Sequence, residues 1–271
     1  MKTVRLAQLN ANYYEQKKRI TTLVEAIVNS EADFVALQEV TEIETLKEEL
    51  ALRGYPYSSF SQLVNLRGGI EYVGYVSKHQ LTTLRGGESQ EPLSDRICLA
   101  SATVEGITLN LFSAHFVWGG DTELKRTQQA ELVEKWAAER EKENPNSISI
   151  LAGDLNAEPD YRSIRYLSGK ELSLDNSHGT LWTDAWVTAG SPENEITNSH
   201  STNAQGRATA FRTGIAYPGF LPHRRIDYIF VRGWRYGKLG SPVSFGYITH
   251  PEGIEISDHN GIYADLLISL S

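Results

Sequence analysis

Short apolar runs in this chain end, one after another, on polar side chains that a buried strand does not carry for free. Asn10 and Asn12 close LNANYY, Glu39 closes LQE and His115 closes SAH. Asp154 and Asn156 sit in GDLN, Asp227 in RIDY, and Asp258 and His259 in SDH. A carboxylate at the mouth of a buried strand is costly unless it is paired or holds a metal. Strand after strand ending this way implies that the ends converge. Asn10/Asn12 and Asp154/Asn156 are i, i+2 pairs, so in extended chain each pair points to one face.

The text between these ends alternates strand and helix. Val4, Leu6 and Gln8 set a period of two that stops at Asn10. Ile20, Leu23, Val24, Ile27 and Val28 follow at helical spacing. FVALQEV (34–40) reads as a strand, and Thr41 with Glu44 reads as a capping box for a helix burying Ile43, Leu46 and Leu50. From 70 to 113, EYVGYVSK, LTTLRG, RICLASATV and ITLNLFSAH predict a run of antiparallel strands. A helix from Thr122 to Glu143, with Leu124, Leu132, Val133 and Trp136 inward, stops at Asn144-Pro145. SISILAGD (147–154) is a strand and 161–168 a short helix. A long loop over 189–206 precedes the strands ATAFRT, RIDYIFV, SPVSFGY and GIYADLLIS. Many strands with few helices predict an α/β (α+β) sandwich of two packed mixed sheets flanked by helices. With no Pro- or Ser-rich linker, residues 1–271 read as one domain.

Composition excludes several classes. Of the 271 residues, 40% are apolar, enough for a substantial core and too many for a disordered chain. A lone cysteine, Cys98, rules out an internal disulfide and a thiolate zinc site. No apolar run reaches the roughly 18 residues of a membrane span, and the N-terminus lacks a signal-peptide pattern, so the expectation is a cytoplasmic, soluble monomer. A net charge of −8 argues against non-specific coating of nucleic acid, though not against a local basic groove.

The polar inventory then points to a reaction. Oxygen donors dominate and there is no H-E-x-x-H, so Mg2+ or Mn2+ fits better than zinc. Asn and His can donate to phosphate oxygens, and an Asp can take a proton from water. This is the equipment for metal-assisted hydrolysis of a phosphate ester. Read singly, each residue has an ordinary alternative: Asp154 in a Gly-Asp turn, Asp258 as a cap, His115 as a core histidine, Glu39 beside a helix N-terminus. Their joint order favours the catalytic reading.

LNANYY, LQEV, SAHF, GDLNAEPD, RIDYIFV and SDHNGIYADL, in this order, resemble the motif set of the endonuclease/exonuclease/phosphatase (deoxyribonuclease I-like) superfamily across essentially the whole chain. The resemblance implies a four-layered α/β sandwich. It implies Glu39 as principal metal ligand, assisted by Asp258 and Asn12; Asn12 stands where the motif often has Asp. Asp154 would align or deprotonate the attacking water, and Asn156 would hold that water or the phosphate. His259, oriented by Asp227, and His115 would contact the phosphate, with Asn10 completing the first motif. SDHNG is similar to the SDH-x-G of the tyrosyl-DNA phosphodiesterase branch.

Substrate contacts are read from clusters. Arg207, Arg212, His223, Arg224 and Arg225 precede the Asp227 strand as a phosphate clamp, with a surface salt-bridge network as the alternative. Tyr13, Tyr14, Phe116 and Trp118 follow two site motifs as an aromatic platform, with core packing as the alternative. Arg96 is a further cation, and Arg126 beside Gln128 and Gln129 reads as a solvated helix face. A serine hydrolase built on Ser257-Asp258-His259 fails, because adjacent residues cannot form a triad and no G-x-S-x-G exists. A nucleotide-binding module lacks its glycine motifs. An inactive binding module on the same fold would be expected to have lost part of the set. The expected partner is a phosphate ester, as a small molecule or a nucleic-acid end, and a nuclease acting on DNA or RNA is the alternative.

Overall fold

Along strand β1 (Lys2–Asn10), Val4 and Leu6 face one buried layer while Ala7 and Leu9 face another. Side chains alternate across a strand, so a strand covered on both sides needs apolar residues at odd and even positions alike. The near-continuous apolar text of β2 (Phe34–Val40) and β8 (Ser147–Asp154) has the same cause. The computed structural model describes residues 1–64, 68–86, 93–119, 121–190 and 224–269. In it the strands form two mixed sheets of six. The first runs β11 (Pro242–Tyr247), β12 (Ile262–Ser269), β1, β2, β4 (Ile70–Ser77), β3 (Tyr57–Val64). The second runs β5 (Thr82–Arg85), β6 (Ile97–Val104), β7 (Ile107–His115), β8, β10 (Asp227–Arg232), β9 (Trp182–Asp184). The central pairs β1–β2 and β7–β8 are parallel, and the strands flanking them pair antiparallel.

Four layers result. Helices α1 (Gln16–Asn29) and α2 (Ile43–Ala51) lay Leu23, Val24, Ile27 and Leu46 on Leu9, Val35 and Leu37 of the first sheet. Helices α3 (Glu123–Glu143) and α4 (Arg162–Leu167) lay Val133, Trp136 and Ile164 on Phe112, Leu151 and Phe230 of the second. Between the sheets, Val4, Leu6 and Phe34 meet Leu111, Ile150 and Ile229. Trp136 is fully buried, and truncation to Ala would cost about 3–5 kcal/mol.

Several details differ from the sequence expectation. Leu124 points to solvent, because the buried stripe of α3 runs through Arg126, Ala130, Val133 and Ala137, about 200° around the helix from it. The Thr41/Glu44 capping box does not form. Glu42 is the N-cap of α2, and Gln16 Oε1 takes the Thr41 and Glu42 N–H donors instead. Strand β3 was not expected, since its buried positions include Ser59 and Ser61, which inverts the usual pattern. Strand β9 and helix α5 (Ala185–Ala189) are too short to leave a period. ATAFRT (208–213), and all but the first two residues of the expected 189–206 loop, lie outside the described residues.

The layer between the sheets changes character along its length. Val4 and Leu6 give way to Gln8 and Asn10 on β1, and Ala36 to Gln38 on β2. Leu111 gives way to Ser113 and His115 on β7, and Ala152 to Asp154 on β8. One end of the sandwich is thus oil and the other polar, with the same two sheets as walls.

Candidate active site

Strand register makes the first row. His115 pairs with Asp154 across β7–β8, and Asp154 pairs with Asp227 across β8–β10, so three side chains stand abreast on one face. Gly153 permits this close strand contact, for a Cβ there would stand 2.0 Å from the Ala114 carbonyl oxygen. From the facing sheet, Asn10 Nδ2 donates to Asp154 Oδ2 and to Glu39 Oε1, both at 3.0 Å. His259, in the turn before β12, places Nδ1 2.8 Å from Asp227 Oδ2 and Nε2 3.8 Å from Asp154 Oδ2. All five of these side chains other than Glu39 are buried.

Glu39 reaches this row through a backbone irregularity. Unbroken alternation would send it with Val35 and Leu37 toward the helices. Instead its φ is 56°, and the β2–β4 ladder slips between Leu37 and Val40. Such bulges re-aim a side chain, and a left-handed non-glycine residue costs on the order of 1–3 kcal/mol. The redirected carboxylate accepts from Asn10 Nδ2 and from the Tyr13 N–H at 3.1 Å. Asn12 and Asn156 are left-handed too, at φ 53° and 49°, a conformation asparagine tolerates. Asn12 Oδ1 accepts the Tyr14 N–H, and Asn156 donates its own N–H to Asp154 Oδ1 and its Nδ2 to the Phe116 carbonyl.

Burial and crowding set the charges. Burial, with the repulsion of Asp258 added, raises the Glu39 carboxyl to about 7. Burial also raises Asp154. Burial lowers His115 to about 4, outweighing the pull of Asp154, so its ring is neutral near pH 7. Burial acts the same way on His259, but there the carboxylates of Asp227 and Asp154 prevail and hold it well above the usual imidazole range. Among the described residues, His259 is thus a cation on the Asp227 side of the site.

The other side sets a neutral imidazole beside two carboxylates. Glu39 Oε1 and Asp154 Oδ2 lie 3.7 and 3.8 Å from His115 Nε2, too far for hydrogen bonds, and His115 Nδ1 is buried without a partner. Glu39, His115 and Asp154 form one group able to hold a metal ion, and Asp154, Asp227 and His259 form another. A raised carboxylate beside a second carboxylate, with a neutral imidazole near, suits a hard divalent cation.

Comparison with known proteins places the chain in a family. The model of the Endonuclease/Exonuclease/phosphatase family matches residues 7–259. The chain belongs to this family. A search of curated proteins finds no match. Among solved structures, TDP2 from D. rerio complexed with single strand DNA product aligns with a TM-score of 0.68 at 18% identity, covering 98% of this chain and 100% of that one. Truncated Caenorhabditis elegans TDP2 gives 0.64 at 17%, covering 98% of each chain. An endonuclease/exonuclease/phosphatase family protein from Leptotrichia buccalis gives 0.65 at 19%, covering 98% and 100%. At these identities the likeness establishes the fold, a layered sandwich shared across the family.

The residues read from the sequence as catalytic or metal-binding gather here, whereas those read as substrate contacts scatter. Arg225 is buried, bonded to Asp184 Oδ2 at 2.7 Å and held between the rings of Trp186 and Tyr228, so its charge is spent within the fold. Arg224 pairs with Glu158. Arg207, Arg212 and His223 lie outside the described residues. Phe116 is core, Tyr13 is half-buried beside Glu39, and Trp118 is 52% exposed on the segment after His115. Arg126 is not a solvated face: it is fully buried and ties the Val117 and Gly119 carbonyls to α3. Arg96 gains interest, because Ile97 pairs with Ala114 and the next residue back borders His115, whose ring feels its charge.

Two sets of supporting residues escaped the sequence reading. Gln16 Nε2 donates to the Ala11, Asn12 and Glu39 carbonyls, while Arg19 bonds the Asn12, Tyr14 and Ile256 carbonyls. The first turns of α1 thereby tie together the segments bearing Asn12, Glu39 and Asp258. Gln8, Gln38 and Ser113 lie beneath Asp227. Their polarity at apolar-period positions was the available signal.

Proposed function

We propose that this chain hydrolyses phosphate esters by attack of a water activated at Asp154, with Mg2+ or Mn2+ held by Glu39 together with Asp258 and Asn12. The reading is carried by one observation: the buried row His115–Asp154–Asp227, faced by Asn10 and Glu39 and closed by His259. When bound, the cation polarises the phosphate and offsets negative charge in the transition state. Asp154 accepts the water's proton, and the burial that raises it makes it a better base. Asn10 and the Asn156 N–H fix its two oxygens, and Asn156 holds the water or the phosphate. His259, cationic and gripped at Nδ1 by Asp227, donates from Nε2 to a phosphate oxygen as charge builds there. His115 donates as a neutral ring, and Arg96 meets the phosphate at the site's edge.

The substrate class follows from charge. A chain of net −8 suits a small phosphodiester, a phosphomonoester or a nucleic-acid end better than the flank of a long duplex. The likeness to a TDP2 complexed with single strand DNA product supports the nucleic-acid end, with Trp118 and Tyr13 as stacking surfaces. No helix among the described residues is long and apolar enough to cross a membrane. The test is hydrolysis of bis-p-nitrophenyl phosphate, p-nitrophenyl phosphate, DNA and RNA oligonucleotides and inositol phosphates, with Mg2+, Mn2+ or EDTA. Asp154→Asn should abolish turnover while binding stays measurable; undiminished turnover in EDTA or in this variant would refute the reading.

A further inference from the structure

Gln8, Gln38 and Ser113 are fully buried polar side chains, and none of the roles assigned above uses them. They form a directed chain across both sheets. Ser113 Oγ donates to the Leu37 carbonyl at 3.3 Å, so it accepts from Gln38 Nε2 at 3.1 Å. Gln38 then turns Oε1 toward Gln8 Nε2, at 2.8 Å. The second N–H of the same Gln8 amide points at Asp227 Oδ1, also at 2.8 Å. Asp227 Oδ2 is left for His259 Nδ1.

The direction of this chain is fixed at both ends. A backbone carbonyl can only accept, and a carboxylate can only accept, so the amides between them can satisfy both in one orientation. That orientation leaves Gln8 Oε1 buried without a partner. Leaving a buried acceptor unmade carries its desolvation cost, so the arrangement serves Asp227 at the expense of Gln8 itself.

We infer that Gln8 is a positioning residue for hydrolysis, one that locks the Asp227 carboxylate in the rotamer that grips His259, with Gln38 and Ser113 setting which way its amide points. The inference rests on the reading of Asp227 and His259 under Proposed function. With Oδ1 bonded from below by the neutral Gln8 amide, Oδ2 is the oxygen that meets the imidazole.

A double-mutant cycle separates this from a structural role. Gln8→Leu in the otherwise native chain should lower kcat about tenfold, the scale of one hydrogen bond to a charged group, with KM changed less than about twofold. In an Asp227→Asn background the same substitution should change kcat less than about twofold, since nothing remains to position. Equal losses in the two backgrounds, or no loss in the native one, would overturn the inference. If Asp227→Asn alone keeps full kcat, the dyad itself is wrong, a distinct failure. Ser113→Ala provides the second route should Gln8→Leu not fold. It should cost kcat a few-fold in the native chain and nothing in Asp227→Asn, and an unchanged kcat in the native chain would count against the chain of donors. A readout without turnover is the downfield imidazole N–H resonance of 15N-histidine-labelled protein. Gln8→Leu should broaden or shift it. Asn110→Ala, which removes an equally buried amide bonded to Ser147 and Ser149, should leave it in place. A resonance untouched by Gln8→Leu, or moved equally by Asn110→Ala, would reject the positioning role.

Discussion

Glu39 and Asp227 both stand at the polar end of the inter-sheet layer and both accept hydrogen bonds there, yet they meet different neighbours. Glu39 has amide donors from Asn10 and Tyr13 and faces Asp258 and a neutral His115. Asp227 has the Gln8 amide and a charged His259. The Asp227 half brings its own counter-ion. The Glu39 carboxyl is raised to about 7, by burial first and by the repulsion of Asp258 second, while the charge on His259 pulls it the other way. The raised Glu39 carboxyl belongs, with Asp154 and His115, to a group able to hold a metal ion.

The largest effect expected is on the Glu39 half. Glu39→Gln keeps volume and removes charge, so kcat/KM with Mg2+ should fall about a thousandfold, several kcal/mol of lost electrostatic stabilisation. Steady-state kinetics across a metal titration measure it, and a variant within tenfold of the native chain would end the comparison.

The Asp227 half should act as a unit. Asp227→Asn and His259→Ala should each cost about a hundredfold in kcat/KM, and the pair little more than either. Simple additivity would mean that the two residues work independently.

The halves should also differ in stability without metal. The folded chain holds the Glu39 proton more tightly than an unfolded chain, whose carboxyl sits near 4.5, so this group costs stability progressively as pH rises from about 4.5 to 7. Glu39→Gln should therefore stabilise the EDTA-treated protein at pH 8 by about 1–3 kcal/mol and have little effect at pH 4. His259 has the opposite value to the fold. Its raised position supplies stability that is fully present below about 6.5 and fades only as pH climbs through the raised value. His259→Ala should lower the Tm at pH 6. Denaturant melts of both variants across pH would expose a shared sign, which the comparison forbids.

The smallest effect belongs to the edge of the site. Arg96→Ala should raise KM for an anionic phosphodiester about fivefold with kcat nearly unchanged, because a cation at the edge contributes to binding more than to the transition state. A fall in kcat with KM constant would move Arg96 into the reacting centre.

The sequence carried the polar row because an alternating strand can be read for its faces. Asp154 and Asp227 stand two residues from Ala152 and Ile229 on the apolar inner face, and His115 stands four from Leu111, so their shared direction follows from strand alternation. Glu39 broke that logic. Alternation sends it toward the helices, and only a bulge pinned by the β2–β4 ladder turns it inward. The serines of β3 hid a strand for the converse reason, being buried without being apolar. Arg225 had the composition of a phosphate clamp, but its partners Asp184, 41 residues away, and Trp186 come from short elements that leave no period in the text.

By itself, then, the sequence determined the layering, the convergence of polar strand ends and the oxygen-rich chemistry, since each follows from side-chain period and residue type, which are local. The tertiary structure alone decided which carboxylate meets the charged His259 and which meets the neutral His115. Charge balance in a buried layer depends on distances of a few ångströms across two sheets, between residues as far apart in the chain as Gln8 and Asp227. Local pattern does not encode such distances, because strand register, a single bulge and the direction of two amides set them together.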